Sequence, residues 1–151
     1  MSYSIPQTAF ADLLKSDTPL LDVRAPIEYA RGSFPSATNI ALLNDSAREQ
    51  VGTLYKQQGH DAAVELGHKL IHGEVKDELL RQWQQLLKAY PSTVLYCYRG
   101  GQRSKLVQQW LAEYGYEVPM IEGGFKALRR FLIDKLEQVS SPDNFIIAGG
   151  K

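Results

Sequence analysis

The chain is poor in sulfur and has no surplus charge. Its single cysteine, Cys97, excludes an internal disulfide, and a reducing compartment, the cytoplasm, is the expected setting. Seventeen Lys and Arg residues balance 17 Asp and Glu, which removes any global pull toward nucleic acid or an anionic membrane; contact with RNA would have to be local. No stretch approaches the run of about 18 apolar residues that a membrane span needs. The opening residues, Met1 to Pro6, lack the basic and apolar regions of a signal peptide, so no membrane association is expected. Only three histidines are present. His68 and His72 lie four apart on an expected helix without a third ligand at fixed spacing, and His60 beside Gly59 is as much at home on a solvent-facing turn. Neither a metal site nor a tightly bound cofactor is expected. What remains is an ordinary soluble composition, 44% hydrophobic and 23% charged over 151 residues, enough to bury one core.

The patterning alternates between strand and helix. Residues 6–16 read as a short helix with Phe10, Leu13 and Leu14 inward, and 19–24 as a buried strand ending in Asp22-Val23-Arg24. Pro26 opens one or two helical turns that Gly32 closes. A short strand is expected over 37–40. From 44 to 90 the pattern is helical, broken at Gly59 and Gly73, and its last piece is amphipathic through Leu79, Leu80, Trp83, Leu86, Leu87 and Tyr90. A strand over 93–97, a helix over 104–114, a strand over 118–121 and a closing helix marked by Phe125, Leu128, Phe131, Leu132 and Leu136 complete the order. Trp83 and Trp110 are core positions by default. This alternation predicts an α/β fold with a central, mostly parallel sheet flanked by helices on both faces, and ligands of such sheets bind beyond the carboxyl ends of the strands. Cys97, Asp22 and Arg24 all fall at such ends.

Cys97 carries the chemistry. The apolar run Thr93-Val94-Leu95-Tyr96 delivers it to a polar loop, Tyr98-Arg99-Gly100-Gly101-Gln102-Arg103-Ser104, that feeds a helix. Successive N–H groups at a helix N-terminus and the helix dipole favour an anion there, and a thiol held among them is expected to ionise more easily. Gly100-Gly101 supplies backbone freedom, and Arg99 and Arg103 supply cations that grip a tetrahedral oxyanion. A buried strand-end cysteine is otherwise a small hydrophobe; the loop that follows argues for the catalytic role, with residues 98–104 binding substrate. Asp22 and Arg24 are expected to support the pocket as an ion pair rather than to move protons.

Several strings carry a family resemblance. Leu20-Leu21-Asp22-Val23-Arg24, then Glu28-Tyr29, then Gly32-Ser33-Phe34-Pro35-Ser36-Ala37-Thr38-Asn39-Ile40 resemble the signature of rhodanese domains, with Ser33 and Ser36 standing where histidine and glycine are common. The Cys97 loop and Ile121-Glu122-Gly123-Gly124 are also similar. More narrowly, residues 51–60, 96–104 and 123–130 resemble the amino-terminal half of the tRNA 2-selenouridine synthase family, whose members join a rhodanese domain to a P-loop domain. On that resemblance residues 1–140 form the rhodanese-like domain, and 141–151 a linker and the first strand of a truncated P-loop domain. It implies replacement of sulfur by selenium in wobble 2-thiouridine of tRNA, with selenophosphate as donor, through an S-geranylated intermediate made from geranyl diphosphate. Selenophosphate and geranyl diphosphate are then substrates of the full-length protein, tRNA and the missing C-terminal P-loop domain its partners, and Cys97 the nucleophile.

Two other readings stand beside this one. Cys97 to Arg103 is Cys-x5-Arg, the spacing of cysteine phosphatases and arsenate reductases, although no acidic residue in or directly after the loop offers a proton to a leaving group. Alternatively the domain is a non-catalytic module that binds tRNA through Lys126, Arg129 and Arg130 with Arg99, Arg103 and Lys105.

Overall fold

The computed structural model describes residues 3–139; the expected linker and P-loop strand at 141–151 lie outside the described residues. Five parallel strands form one sheet in the order β1-β5-β4-β2-β3. They are β1 (Ser4–Ile5), β2 (Leu20–Asp22), β3 (Ala37–Asn39), β4 (Val94–Tyr96) and β5 (Met120–Ile121). Among the described residues seven α-helices lie between and after them: α1 (Phe10–Lys15), α2 (Pro26–Arg31), α3 (Asp45–Gln58), α4 (His60–Leu70), α5 (Gly73–Ala89), α6 (Gln102–Glu113) and α7 (Gly124–Val139). Parallel neighbours require crossovers, and the helical pattern between the apolar runs supplies them.

Strand parity sorts the core into two layers, because successive side chains leave a strand on opposite faces. Leu21, Val23, Leu95 and Cys97 join Trp83, Leu87, Val107, Trp110 and Leu111 of α5 and α6 on one face. On the other, Leu20, Val94 and Tyr96 pack with Phe10 of α1 and Leu128 of α7. Trp83 is fully buried, and its indole N–H donates to the Ile40 carbonyl at 3.1 Å, tying α5 to the chain after β3. Cys97 therefore shares its face with α3 to α6, while the preceding Tyr96 belongs to the α7 side.

The expected order of elements is present, with three differences. The helix expected over 6–16 splits into a 3-10 turn, Gln7–Ala9, and α1. β1 has no counterpart in the sequence pattern, since two residues cannot display alternation; it exists because the Tyr3 and Ile5 carbonyls accept from the Met120 and Glu122 N–H groups of the neighbouring strand segment. Helix α6 begins at Gln102 rather than Ser104, so the last three residues of the expected loop form its first turn.

Candidate active site

At the carboxyl end of β4 the chain turns through a loop that depends on glycine at two places. Gly100 adopts φ +69°, and a Cβ there would stand 3.1 Å from the Gly123 nitrogen. Gly124, at φ +64°, approaches more closely still: a Cβ would lie 2.5 Å from the Cys97 carbonyl oxygen and 2.6 Å from the Gly100 nitrogen, so no side chain fits. This contact lets the first turn of α7 clamp the loop. Phe125 N–H donates to the Cys97 carbonyl at 2.9 Å and Lys126 N–H to the Tyr98 carbonyl at 3.0 Å.

The carbonyls at the start of the loop are therefore satisfied, whereas its donors are not. From Tyr98 to Ser104 no backbone N–H finds a protein acceptor among the described residues; the first intrahelical bond of α6 runs from Lys105 to Gly101 at 3.2 Å, as a helix start requires. Ser104 is fully buried, and its Oγ has no hydrogen-bond partner among the described residues. Cys97 lies beneath, 2% exposed. A buried thiol, a run of N–H donors without protein acceptors and an orphan hydroxyl thus follow one another along one loop and helix start, the donor set that an anion takes up.

The arginines occupy separate positions. Arg103 forks onto Glu28, with Nη1 to Oε2 at 2.6 Å and Nη2 to Oε1 at 3.2 Å. Arg48 reaches the same carboxylate at 3.1 Å, as does the Ala25 N–H at 2.9 Å. Burial works to raise the pKa of Glu28, but the Arg103 bonds and charge, with Ala25 and Arg48, outweigh it and hold the carboxyl below its ordinary range. Arg99 instead stands beside the Tyr98 ring, 5.6 Å from its centroid. Tyr98, 37% exposed, stacks on Phe125 with centroids 6.3 Å apart.

Asp22 and Arg24 form a sealed network at the end of β2. Arg24 Nε and Nη2 donate to Asp22 at 3.0 and 2.7 Å, Tyr96 O–H donates to Asp22 Oδ2 at 2.7 Å, and Arg24 Nη2 also reaches the Gly32 carbonyl at 2.8 Å. The guanidinium carbon sits 3.9 Å from the Phe125 ring centroid, a cation–π contact in a desolvated setting. Burial pulls the pKa of Arg24 down, yet the Asp22 bonds and charge leave it raised. Burial, reinforced by the Asp22 charge, pushes the Tyr96 hydroxyl well up. Arg24 thus stays charged and the Tyr96 hydroxyl stays protonated at neutral pH, and the network braces the strand ends.

The structure thus gathers residues 97–104 into one loop and first turn, and sets Asp22 and Arg24 beside it through Tyr96 and Phe125. Glu28, Arg48, Gly124 and Phe125 were not assigned site roles from the sequence. The signal for Glu28 is an acidic residue in the first turn after Pro26, placed so that its carboxylate accepts from the N–H three residues back. The expected basic patch divides. Arg99, Lys126 and Arg130 line one cleft of about 490 Å³, whereas Arg129 lines another of about 450 Å³ with Arg24, Arg31, Arg48, Tyr98 and Phe125. Of the histidines, His60 pairs with Asp61 at 3.1 Å, His68 lies against Trp110 with centroids 6.2 Å apart, and His72 precedes α5. No helix among the described residues is long and apolar enough to cross a membrane.

Comparison with known proteins agrees with this geometry. A relative named tRNA 2-selenouridine synthase from Shewanella denitrificans is 50% identical over 147 residues, covering 97% of this chain and 40% of its own length. One of the same name from Pseudomonas fluorescens strain Pf0-1 is 49% identical over 148 residues, again with 97% and 40% covered. The chain spans about two fifths of the length of these curated relatives. Among solved structures, the N-terminal domain of a Clostridium difficile 630 protein named for ATP/GTP binding superposes with a TM-score of 0.76 at 33% identity, covering 86% of this chain and 98% of that one. A rhodanese-related protein from Thermoplasma volcanium shares the fold at a TM-score of 0.51 and 19% identity, with 85% and 92% covered. The family model described as Rhodanese-like domain matches residues 7–130, and with the parallel sheet and strand-end cysteine loop in place, the chain belongs to that family.

Proposed function

We propose that this chain is the selenium-transfer domain of an enzyme that replaces sulfur by selenium in wobble 2-thiouridine of tRNA. Selenophosphate is the donor, the accepting nucleoside is S-geranylated, and Cys97 is the nucleophile. The observation that carries the reading is the run of N–H donors without protein acceptors and the unpartnered Ser104 hydroxyl in the loop and helix start that follow the Cys97 thiol, a donor set suited to a phosphoryl oxyanion. The reaction class is the one that the relatives' names carry, which supports the reading. Geranylation, which consumes geranyl diphosphate, is assigned to the P-loop domain in the part of the relatives' length that this chain does not span. No tightly bound cofactor is invoked, and a tRNA substrate with a reduced thiol suits the cytoplasm.

A redox-neutral sequence fits this donor set. The Cys97 thiolate attacks phosphorus of selenophosphate, forming S–P and breaking P–Se, and hydroselenide leaves. Hydroselenide adds at C2 of the S-geranyl nucleoside, and the geranylthiolate departs with a proton. Water then cleaves S–P, returning the thiol and releasing phosphate. Attack on selenium itself would form a perselenide and leave the P–Se electron pair on phosphorus, a reduced product. In the nucleotide cleft, Tyr98 offers a stacking face and Arg31, Arg48 and Arg129 offer phosphate contacts.

The phosphatase reading is weaker on this geometry. Arg103 gives both terminal nitrogens to Glu28, and Glu28, held ionised, has no proton for a leaving group. A non-catalytic tRNA module leaves the donor run without a purpose. The test uses the full-length protein with Cys97→Ser beside it: 2-selenouridine in tRNA must depend on selenophosphate and fall at least 100-fold in the variant. Turnover of a chromogenic phosphate ester without selenium transfer would overturn the proposal in favour of a phosphatase. Undiminished selenium transfer by Cys97→Ser would remove the nucleophile.

A further inference from the structure

An apolar groove opens on the same face of the sheet as Cys97, between α3, α4 and the start of α6. It has a volume of about 200 Å³ and is lined by Leu43, Val51, Ala63, Val64, Ile71 and Leu106, with Gln102 and Arg103 of the Cys97 loop region at one edge. Leu42, Leu43 and Ile71 belong to the same packed cluster as Cys97. Through Leu43, Val51, Tyr55 and Arg103 the groove runs into a polar cleft of about 450 Å³ that adds Arg48 and Lys56, and Arg48 is shared in turn with the aromatic and arginine-lined cleft of Tyr98. One continuous surface therefore passes from hydrocarbon, past the Arg103–Glu28–Arg48 bridge, to cations and a stacking ring.

We infer that this groove holds the hydrocarbon chain of the S-alkylated nucleoside, an isoprenoid thioether, while the attached RNA lies along the cationic clefts. The inference rests on the proposed function and deepens it. A closed apolar cavity of ~150 Å³ takes up benzene; this one is larger and open along one side, so a longer flexible chain fits. Its rim carries Arg48, Lys56 and Arg103 against Glu28 and Glu49, and that positive excess complements a polyanion rather than a neutral lipid or an acidic-faced helix. The same geometry gives the alkyl group a purpose: burying it beside Gln102 and Arg103 anchors the nucleoside at the edge of the Cys97 loop, and the departing thiol leaves into hydrocarbon.

Gly67 supplies the probe. It lines the groove on α4, its backbone is helical, and a Cβ there meets nothing within 4 Å, so Gly67→Leu fills the space without backbone strain. The experiment measures fluorescence anisotropy of an anticodon stem-loop carrying S-geranyl-2-thiouridine against one carrying S-methyl-2-thiouridine, on this chain. Each buried methylene is worth roughly fourfold in affinity; the wild type is expected to prefer the geranyl RNA at least tenfold. Gly67→Leu should erase that preference and leave S-methyl binding unchanged. As an independent readout, a photoreactive geranyl chain should label α4. Equal binding of both RNAs, a preference that survives Gly67→Leu, labelling away from α4, or a dimer that the geranyl RNA does not dissociate would each overturn the groove assignment while leaving selenium transfer standing. Loss of selenium transfer by the full-length protein would instead strike the function reading, and the groove assignment with it.

Discussion

Two arginine–carboxylate networks flank the Cys97 loop, and they differ in exposure rather than in chemistry. Asp22 and Arg24 are 0% and 2% exposed, and Tyr96, the Gly32 carbonyl and the Phe125 ring complete their contacts, leaving little room for solvent to compete. Glu28 is 8% exposed, but its partners Arg103 and Arg48 are 21% and 43% exposed. A buried pair with all its bonds made is architecture: taking away one partner strands the other charge. A carboxylate shared by two partly exposed arginines is a softer brace, because water can take over part of what either arginine supplies. The fold thus braces the strand ends with one network and holds Arg103, at the start of α6, and Arg48 on one carboxylate with the other.

Breaking the comparison at its strong end should give the largest effect. Asp22→Ala leaves Arg24 buried without its counter-charge and Tyr96 without its acceptor, and should cost about 3–5 kcal/mol, read as a large fall in the denaturant midpoint with unchanged slope. A loss below about 1 kcal/mol would mean that the two networks are equivalent. Glu28→Gln should cost only about 1 kcal/mol, because Arg103 and Arg48 retain water and the amide still accepts from Ala25. The same variant should bind phosphate or selenophosphate more tightly, having freed two arginines, and titration calorimetry reads that directly.

Acid sharpens the contrast. The folded pKa of Glu28 lies below its ordinary value of 4.5, so the ionised form favours folding. That contribution is fully present above about 4.5 and is lost as pH falls through the depressed folded value. Thermal melts of wild type and Glu28→Gln should therefore differ most near neutrality and converge in acid; a gap that widens in acid would contradict the assignment. The smallest effect is expected far from both networks. Arg81→Ala removes an exposed pair with Glu78 on α5 and should leave the midpoint of the same melts unchanged, since solvent screens such a pair.

The strand ends were readable because apolar runs stop abruptly at Asp22 and at Cys97, and the glycines at 59, 73 and 32 punctuate the helices where the structure does. The Asp22–Arg24 pairing was readable too, two residues apart on one strand face. What the sequence hides is tertiary. Glu28 and Arg103 lie 75 residues apart, so nothing local reveals that the second loop arginine is already engaged. Likewise the Gly123-Gly124 string was visible, but its reason, the close approach of Gly124 to the Cys97 carbonyl, exists only once α7 docks. Arg129 and Arg130 are adjacent in sequence and yet line different clefts, because neighbouring helical positions point about 100° apart.

Cys97 as the group that meets selenophosphate is the point on which the rest depends, and intact-protein mass spectrometry after brief exposure to selenophosphate tests it most directly. A phosphoryl adduct on the wild-type chain that is absent from Cys97→Ala is the predicted result. An unmodified wild type under conditions in which the full-length protein turns over, or an identical adduct on both proteins, would contradict it.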